Sequence, residues 1–163
     1  CILNMSSDAV ICGYVRSAFT PAKKGDLAKV RPDDLAAGVV NGLIEKYKIK
    51  VDDVEDLILG CAFPEAEQGM NLARNVVFLS DLPKSVGGVT VNRFCASSMQ
   101  AIHQAAGAII SGSGELFIAG GVESMSFKNL NDEILVVELY VNVKDSMGAN
   151  VINSIAEHAA PYI

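Results

Sequence analysis

The sequence has little charge and no excess of positive charge. Asp, Glu, Lys and Arg make up 20% of the 163 residues, half of all residues are hydrophobic, and the mean hydropathy is +0.32. A disordered tail is excluded, because this composition provides enough apolar surface for a core. Thirteen basic residues against nineteen acidic ones give a net charge of -6, so there is no positive field to gather phosphates. We therefore expect no nucleic-acid partner.

Two further patterns are absent. The four cysteines form no CxxC pair, and the first residues lack the basic, apolar and cleavage regions of a signal peptide. We expect a reducing, cytoplasmic location. Residues 94–114 are the longest stretch without Asp, Glu, Lys or Arg, but their Ser, Gln and His side chains would be desolvated without partners in a bilayer. We expect no membrane association and predict a helix buried within the protein.

Short apolar runs that alternate with helical patterns predict an α/β fold. Four runs are typical of strands covered on both faces: residues 9–15, 54–61, 88–94 and 115–122. Three helices are predicted between them: residues 32–47, 71–80 and 95–110. The order βαβαβαβ indicates parallel strands with helical crossovers. Small residues cover most directions of the third helix, so we expect a central helix buried between two layers.

Two segments allow finer predictions. The first helix opens with Pro-Asp-Asp and has an apolar stripe with a spacing of four: Leu35, Val39, Leu43 and Tyr47. From residue 127 the pattern changes. Residues 127–133 are polar and are interpreted as a junction, and residues 134–143 alternate as in an antiparallel strand with one solvated face. A helix is predicted from about residue 145 to 160, whereas residues 1–8 are interpreted as a leader or a non-native extension.

Cys95 is the strongest candidate for a reactive group. It falls where the third predicted strand turns into the third predicted helix, and the N–H groups and positive dipole end of a helix stabilise thiolate over thiol. The Cys95 N–H would also face a developing oxyanion. The alternative is a small cysteine packed in the core, which is the interpretation we favour for Cys12 and Cys61 within their apolar strands.

Five motifs, in order, resemble the thiolase family. They are VRSAFTP at 15–21, RPDDL at 31–35, QGMNLAR at 68–74, NRFCASSMQA at 92–101 and GGVESMS at 120–126. The likeness covers residues 9–126, roughly the first third of a thiolase subunit, and implies a thiolase-like layered half-domain. The residues around Cys95 are closer to the 3-ketoacyl branch than to the biosynthetic acetoacetyl branch. Gly120 and Gly121 either let backbone pass close to the nucleophile or serve strand packing.

The resemblance implies cysteine-dependent acyl transfer. Cys95 would attack the keto carbon of a 3-ketoacyl-CoA, release acetyl-CoA and pass the acyl group to CoA; the reverse reaction condenses two acetyl units. CoA and acyl-CoA would be substrates, with no further cofactor. The implied assembly is a homo-oligomer, a dimer or a dimer of dimers, paired through the strand before the cysteine.

The family's histidine motif, GHP, and its second-cysteine motif, CxGGG, are absent from this sequence. His103 lies eight residues beyond Cys95, about 12 Å along a helix, which is too far to take the thiol proton directly. We interpret His103 and His158 as packed helix residues. Turnover is therefore expected to be absent or very weak.

Residues 134–163 resemble a different family, the class II hydroxymethylglutaryl-CoA reductases. The match centres on the sequence DSMGAN, which comprises Asp145, Ser146, Met147, Gly148, Ala149 and Asn150. In that family this strand, glycine turn and helix bind a nicotinamide dinucleotide, which implies an NAD(P) site in a C-terminal βα unit of an α+β dinucleotide-binding type. Gly148 would allow close approach to a pyrophosphate. The reductase's catalytic Glu, Lys, Asp and His and most of its dinucleotide domain have no counterpart here.

Three hypotheses stay open. The first is a thiolase-class acyltransferase fragment, acting in fatty acid metabolism or in the mevalonate pathway. The second is part of a bifunctional thiolase and reductase, since fusions in this order are a known family architecture, or an NAD(P)-binding reductase piece. The third is a non-catalytic fragment that oligomerises through open sheet edges. A deletion product, a designed mosaic and part of a longer protein are all compatible with this order of segments.

Overall fold

The computed structural model describes residues 8–21 and 25–124, and the backbone of two short strands beyond them. Three helices and a three-stranded sheet make up the main body of this part of the chain. Their bounds are α1 Pro32–Tyr47, β1 Asp56–Gly60, α2 Leu72–Leu79, β2 Gly87–Val91, α3 Ser97–Ile110 and β3 Phe117–Gly121. Short 3-10 turns lie at Val51–Asp53 and Ala66–Gln68.

The sheet is parallel, with β1 in the centre and β2 and β3 on either side. Gly60 pairs with Val91 on one side and with Gly121 on the other, so the carboxyl ends of the three strands meet at one edge. Parallel strands need crossover connections, which α2 and α3 supply. The predicted α/β fold is confirmed for three of the four expected strands.

Side chains alternate along β1 and so divide the core into two layers. Leu57 and Leu59 pack with α1, α2 and Ile118 of β3, whereas Ile58 packs against Ala101 and Ala105 of α3. α2 is almost wholly apolar on its inner face and begins at Asn71, whose side chain accepts a hydrogen bond from the Arg74 N–H. Burial of each large aliphatic side chain contributes about 1.5–3 kcal/mol to stability.

α1 has the predicted bounds but a different buried face. Pro32, with its fixed φ, occupies the first helical turn, and Lys48 ends the helix in the left-handed region at φ 54°. Beyond the first turn, the buried residues are Ala36, Ala37 and Val40, whereas the predicted stripe, from Leu35 to Tyr47, is half-buried at best. The predicted phase was wrong because two small alanines allow α1 to pack closely on α2.

The first predicted strand is absent. Residues 9–15 take no strand conformation, and Val10 and Ile11 are 71% and 80% exposed. The Tyr14 N–H donates to the Tyr47 hydroxyl at 3.2 Å, which ties this segment to the end of α1. The apolar run was interpreted as a doubly covered strand, but no strand within residues 25–124 pairs with it. The interpretation of Cys12 as a core residue is therefore wrong, since it is exposed.

α3 is covered on one side only. Ser97, Ala101 and Ala105 are buried against the sheet, whereas Met99 and Ile110 are 60% and 56% exposed. The described residues place a sheet beneath α3 and no second layer above it, so the predicted burial between two layers is not found. His103 is exposed on this helix, which corrects its interpretation as a packed residue. No helix among the described residues has the length and apolarity to cross a membrane.

Two short strands follow the main body. Lys128–Asn129 and Leu135–Val136 pair in antiparallel fashion. The first pair of residues lies within the predicted turn, and the second lies within the strand predicted over 134–143, whose other residues stay a prediction. The remainder of 134–163, including the predicted helix and His158, lies outside the described residues, as do residues 1–7. The division into a leader, two units and a junction stays a prediction.

Candidate active site

Cys95 lies in the turn between β2 and α3. Its side chain is exposed, and the first helical residue, Ser97, comes two positions later, with Ala96 as N-cap. The predicted helix began at Cys95, so its start is corrected by one half-turn. The structure still places Cys95 at the corner between a strand and a helix. α3 directs its first N–H groups toward this corner, an arrangement that attracts anions.

The turn around Cys95 is tight and bonded within itself. Phe94 has a φ of 50°, in the left-handed region. The Ser97 hydroxyl accepts a hydrogen bond from the Arg93 N–H at 2.8 Å and donates one to the Phe94 carbonyl at 2.6 Å. The Ala96 N–H donates to the Arg93 carbonyl at 3.1 Å. Because Ser97 is only 4% exposed, these bonds are sheltered from water and strongly favour one conformation.

Two glycines allow α3 to begin directly on the strand ends. A Cβ on Gly60 would lie 2.7 Å from the Ser97 carbonyl oxygen, and one on Gly121 would lie 2.9 Å from the Gly60 carbonyl oxygen and nearer still to the Ser98 hydroxyl. A Cβ on Gly120 would meet only Leu59, at an ordinary 3.5 Å. Of the two alternatives for this glycine pair, strand packing fits Gly121, because its close contacts are with its strand partner Gly60 and with the side chain of Ser98.

A polar cluster joins the loops beside the turn. The Glu123 carboxylate accepts hydrogen bonds from the Ala62 N–H at 2.8 Å and the Phe63 N–H at 3.3 Å. Gln68, which is 4% exposed, donates to the Phe63 carbonyl and to Glu123, and accepts from the Ser124 N–H. The cluster thus fixes the loop after β1 to the segment after β3. Neither Gln68 nor Glu123 was predicted as part of the site, although they stand within the QGMNLAR and GGVESMS motifs.

Cys61 is a poor nucleophile by environment. Its side chain is 1% exposed, and burial, together with the charge of Glu123, raises its pKa to about 12. The thiol therefore remains protonated and inaccessible at neutral pH. Its interpretation as a core residue is confirmed.

The opposite end of the sheet is acidic. An open cavity of about 420 Å³ lies there, lined by Asp52, Asp53, Glu55, Glu115 and Leu116. Its carboxylates would repel the phosphates of a nucleotide. No group of three or more His, Cys, Asp or Glu in the described part of the chain is arranged to hold a metal ion. Six residues, 145–150, are predicted to bind NAD(P). They lie outside the described residues.

The fold and the site together define a class of protein: an α/β protein with a cysteine at a tight strand-to-helix turn. The family model of the thiolase N-terminal domain matches residues 9–159. The chain therefore belongs to the thiolase family. The matched range includes most of the segment that resembles a reductase, and the comparisons give that second resemblance no support.

Similar curated proteins are bacterial 3-ketoacyl-CoA thiolases. Those of Acinetobacter baylyi and Acinetobacter baumannii are each 52% identical to this chain over 118 residues, and that of a Psychrobacter species is 47% identical over the same length. Each match covers 72% of this chain and 30% of the relative. The chain thus spans about a third of the length of the relatives it matches.

Proposed function

We propose that this chain carries the acyl-accepting cysteine of a 3-ketoacyl-CoA thiolase and that Cys95 is the nucleophile. The observation that carries the proposal is the exposed thiol of Cys95 at a bonded turn immediately before α3. A positive helix end stabilises negative charge on sulfur or on a tetrahedral oxyanion at this place. Relatives named for the same activity, at 52% identity, support it.

In the full reaction the Cys95 sulfur bonds to the keto carbon of a 3-ketoacyl-CoA, and the bond between C2 and C3 breaks. The acetyl-CoA portion leaves after C2 gains a proton. The thiol of a second CoA then attacks the Cys95 thioester, and the shortened acyl-CoA departs. CoA and acyl-CoA are the substrates in this proposal, and no other cofactor takes part.

Proton transfer limits what this sequence can do alone. The motifs that supply the family's histidine and second cysteine are absent from it, and His103 lies on the exposed side of α3. A half-reaction remains available: Cys95 takes the acetyl group of acetyl-CoA, and the thiol proton ends on free CoA. We expect this transfer without rapid turnover.

The test is mass spectrometry after incubation with acetyl-CoA: the intact mass counts the acetyl groups, and peptide mapping locates them. We expect one acetyl group, on Cys95, with release of one CoA. Cys95→Ser should abolish the label, whereas Cys12→Ser should not, because Cys12 is also exposed but lies in an extended segment. Equal acetylation of Cys12 and Cys95, or none at saturating acetyl-CoA, would refute the proposal.

Assembly through β2 is part of the proposal. Within the described part of the chain, β2 is an edge strand of the sheet, and a free strand edge presents unpaired N–H and C=O groups to another chain. The family resemblance implies pairing at this strand. Light scattering after size exclusion should give at least twice 17.2 kDa; a monomer at all concentrations contradicts it.

The NAD(P) site at residues 145–150 is kept as a separate hypothesis, supported by the DSMGAN sequence alone. Fluorescence titration with NADPH should show saturable binding that Gly148→Val removes, because a side chain there would block close approach of the pyrophosphate. Absence of binding at millimolar NADPH would eliminate a reductase function and leave the thiolase proposal intact.

A further inference from the structure

Asn92 connects the cysteine turn to a second loop. It directly follows β2, and its Oδ1 accepts a hydrogen bond from the Phe94 N–H at 2.9 Å. This bond, two residues forward, is the pattern of an Asx turn. The Nδ2 of the same side chain donates to the Ala62 carbonyl at 2.9 Å. One side chain thus bonds both to the turn that contains Cys95 and to the loop after β1.

The bond to Phe94 stabilises an unfavourable backbone. A non-glycine residue with a φ of 50° is strained, because its Cβ lies too close to the following carbonyl oxygen. Phe94 is 69% exposed, so burial of its side chain does not offset this strain. Hydrogen bonds offset the strain instead. Asn92 accepts from the Phe94 N–H, and the Phe94 carbonyl accepts from the Ser97 hydroxyl and, at 3.0 Å, from the Ser97 N–H. Strain that neighbours maintain in this way is typical of functional turns.

The other bond leads to a fixed support. Ala62, which accepts from Asn92, donates its own N–H to the Glu123 carboxylate. Glu123 follows β3, and Gln68 binds it from the loop after β1. These hydrogen bonds therefore hold the turn that contains Cys95 in a fixed position relative to the carboxyl ends of β1 and β3.

We propose that Asn92 is a positioning residue for Cys95. By holding the Phe94 N–H, it helps to fix the φ of Phe94. Together with the bonds from Ser97 to the Phe94 carbonyl, this sets the direction of the Cys95 N–H and thiol relative to an incoming acyl group. The inference rests on the proposed function, since the acyl group is what must be oriented. Ser97 does not serve equally well as a probe, because it is buried and its replacement would disturb the packing of α3.

Two reactions of the same thiol separate orientation from mere accessibility. Alkylation by iodoacetamide requires an exposed sulfur, whereas acetyl transfer also requires an N–H aligned on the carbonyl oxygen. Asn92→Ala should slow acetylation of Cys95 by acetyl-CoA about tenfold or more and change its alkylation by less than about twofold. Asn92→Ser should recover part of the loss, because a serine hydroxyl forms the same turn more weakly.

Asn71→Ala is the matched control. Asn71 also accepts a backbone N–H and donates to a strand carbonyl, that of Gly88 at 2.7 Å, but it does so at the start of α2. Its replacement should leave the ratio of acetylation to alkylation unchanged. Buried Cys61 reports folding in every sample, because it reacts with iodoacetamide only when the core opens.

Three results would overturn the role of Asn92: acetylation of Asn92→Ala at the original rate, an equal loss in both reactions, or a loss seen only in variants whose Cys61 has become reactive. The last result would mean that Asn92 serves folding. If the unsubstituted chain is not acetylated, the proposed function itself fails, and this role fails with it. Acetylation of the unsubstituted chain and of Asn92→Ala at the same rate refutes the positioning role alone.

Discussion

Gly60 lies against the backbone of Ser97 so closely that no side chain fits between them. A Cβ on Gly60 would be 2.7 Å from the Ser97 carbonyl oxygen and nearer still to the Ser98 nitrogen. Because backbone atoms cannot rotate away as side chains do, the contact fixes the height of α3 above the central strand. The turn that contains Cys95 lies immediately before this contact, so the last glycine of β1 helps to determine where the thiol lies.

Replacement of Gly60 by alanine should therefore damage both stability and chemistry. We expect Gly60→Ala to lower the free energy of unfolding by about 1–3 kcal/mol, the usual cost of overpacking, and to slow acetylation of Cys95. Urea unfolding followed by circular dichroism measures the first effect. Gly120→Ala is the control, since its Cβ would meet Leu59 at an ordinary 3.5 Å. Equal losses in the two variants would show that Gly60 is not a special contact.

Gln68 tests the polar cluster beside the turn. Gln68→Glu keeps the size of the side chain but places a carboxylate oxygen where Nε2 now lies 3.1 Å from Glu123 and 3.0 Å from the Phe63 carbonyl. We expect a loss of about 2 kcal/mol at pH 7, because a buried donor is replaced by a charge without a partner.

The pH dependence of that loss distinguishes charge from packing. Glu123 would raise the pKa of the new carboxyl in the folded state, so the penalty is present above that pKa and shrinks as the pH falls through it. In thermal unfolding, the difference in melting temperature between Gln68→Glu and the unsubstituted protein should be smaller at pH 5 than at pH 7. Gln104→Glu, on the exposed side of α3, should change stability little at either pH. A pH-independent deficit for Gln68→Glu would mean that packing alone is lost.

The sequence predicts the sheet and helices where local pattern and tertiary burial agree. β1, β2 and β3 are short apolar runs and lie within two or three residues of their predicted bounds, and α2 begins at the capping Asn71. Residues 9–15 have the same apolar pattern but form no strand, because a pattern specifies a tendency to be covered and does not supply the partner strand. The same limit applies to α3. Its small, apolar residues predict cover on every side, but the pattern does not supply a second layer to cover it.

The candidate site was predicted only in part. Cys95 could be placed at a strand-to-helix corner because both flanking patterns are local. The bonds from Asn92 to Ala62, from Gln68 to Glu123 and from Glu123 to Ala62 join residues 30 to 61 positions apart in the chain, and no periodicity encodes such contacts. Asn92, Gln68 and Glu123 all stand in motifs shared with the thiolase family. A motif shows which residues matter but does not show which residues they bind.

Cys61 provides a prediction about alkaline pH. Its pKa is raised to about 12 in the folded protein by burial and by the Glu123 charge, against 9.0 for an unperturbed thiol. Between these values the unfolded chain loses this proton and the folded chain keeps it, so the unfolded state binds fewer protons. Stability must then fall as the pH rises above about 9, by up to about 1.4 kcal/mol per pH unit from this group.

Chemical denaturation from pH 8 to pH 10.5 measures this slope. Other groups titrate in the same range, so the informative quantity is the difference in slope between variants. Cys61→Ala should be less stable at pH 8, because it leaves a small cavity, but its stability should fall less steeply with pH than that of the unsubstituted protein. Cys12→Ala, which removes an exposed thiol, should keep the original slope. If Cys61→Ala keeps it as well, burial of the Cys61 thiol does not contribute to alkaline unfolding.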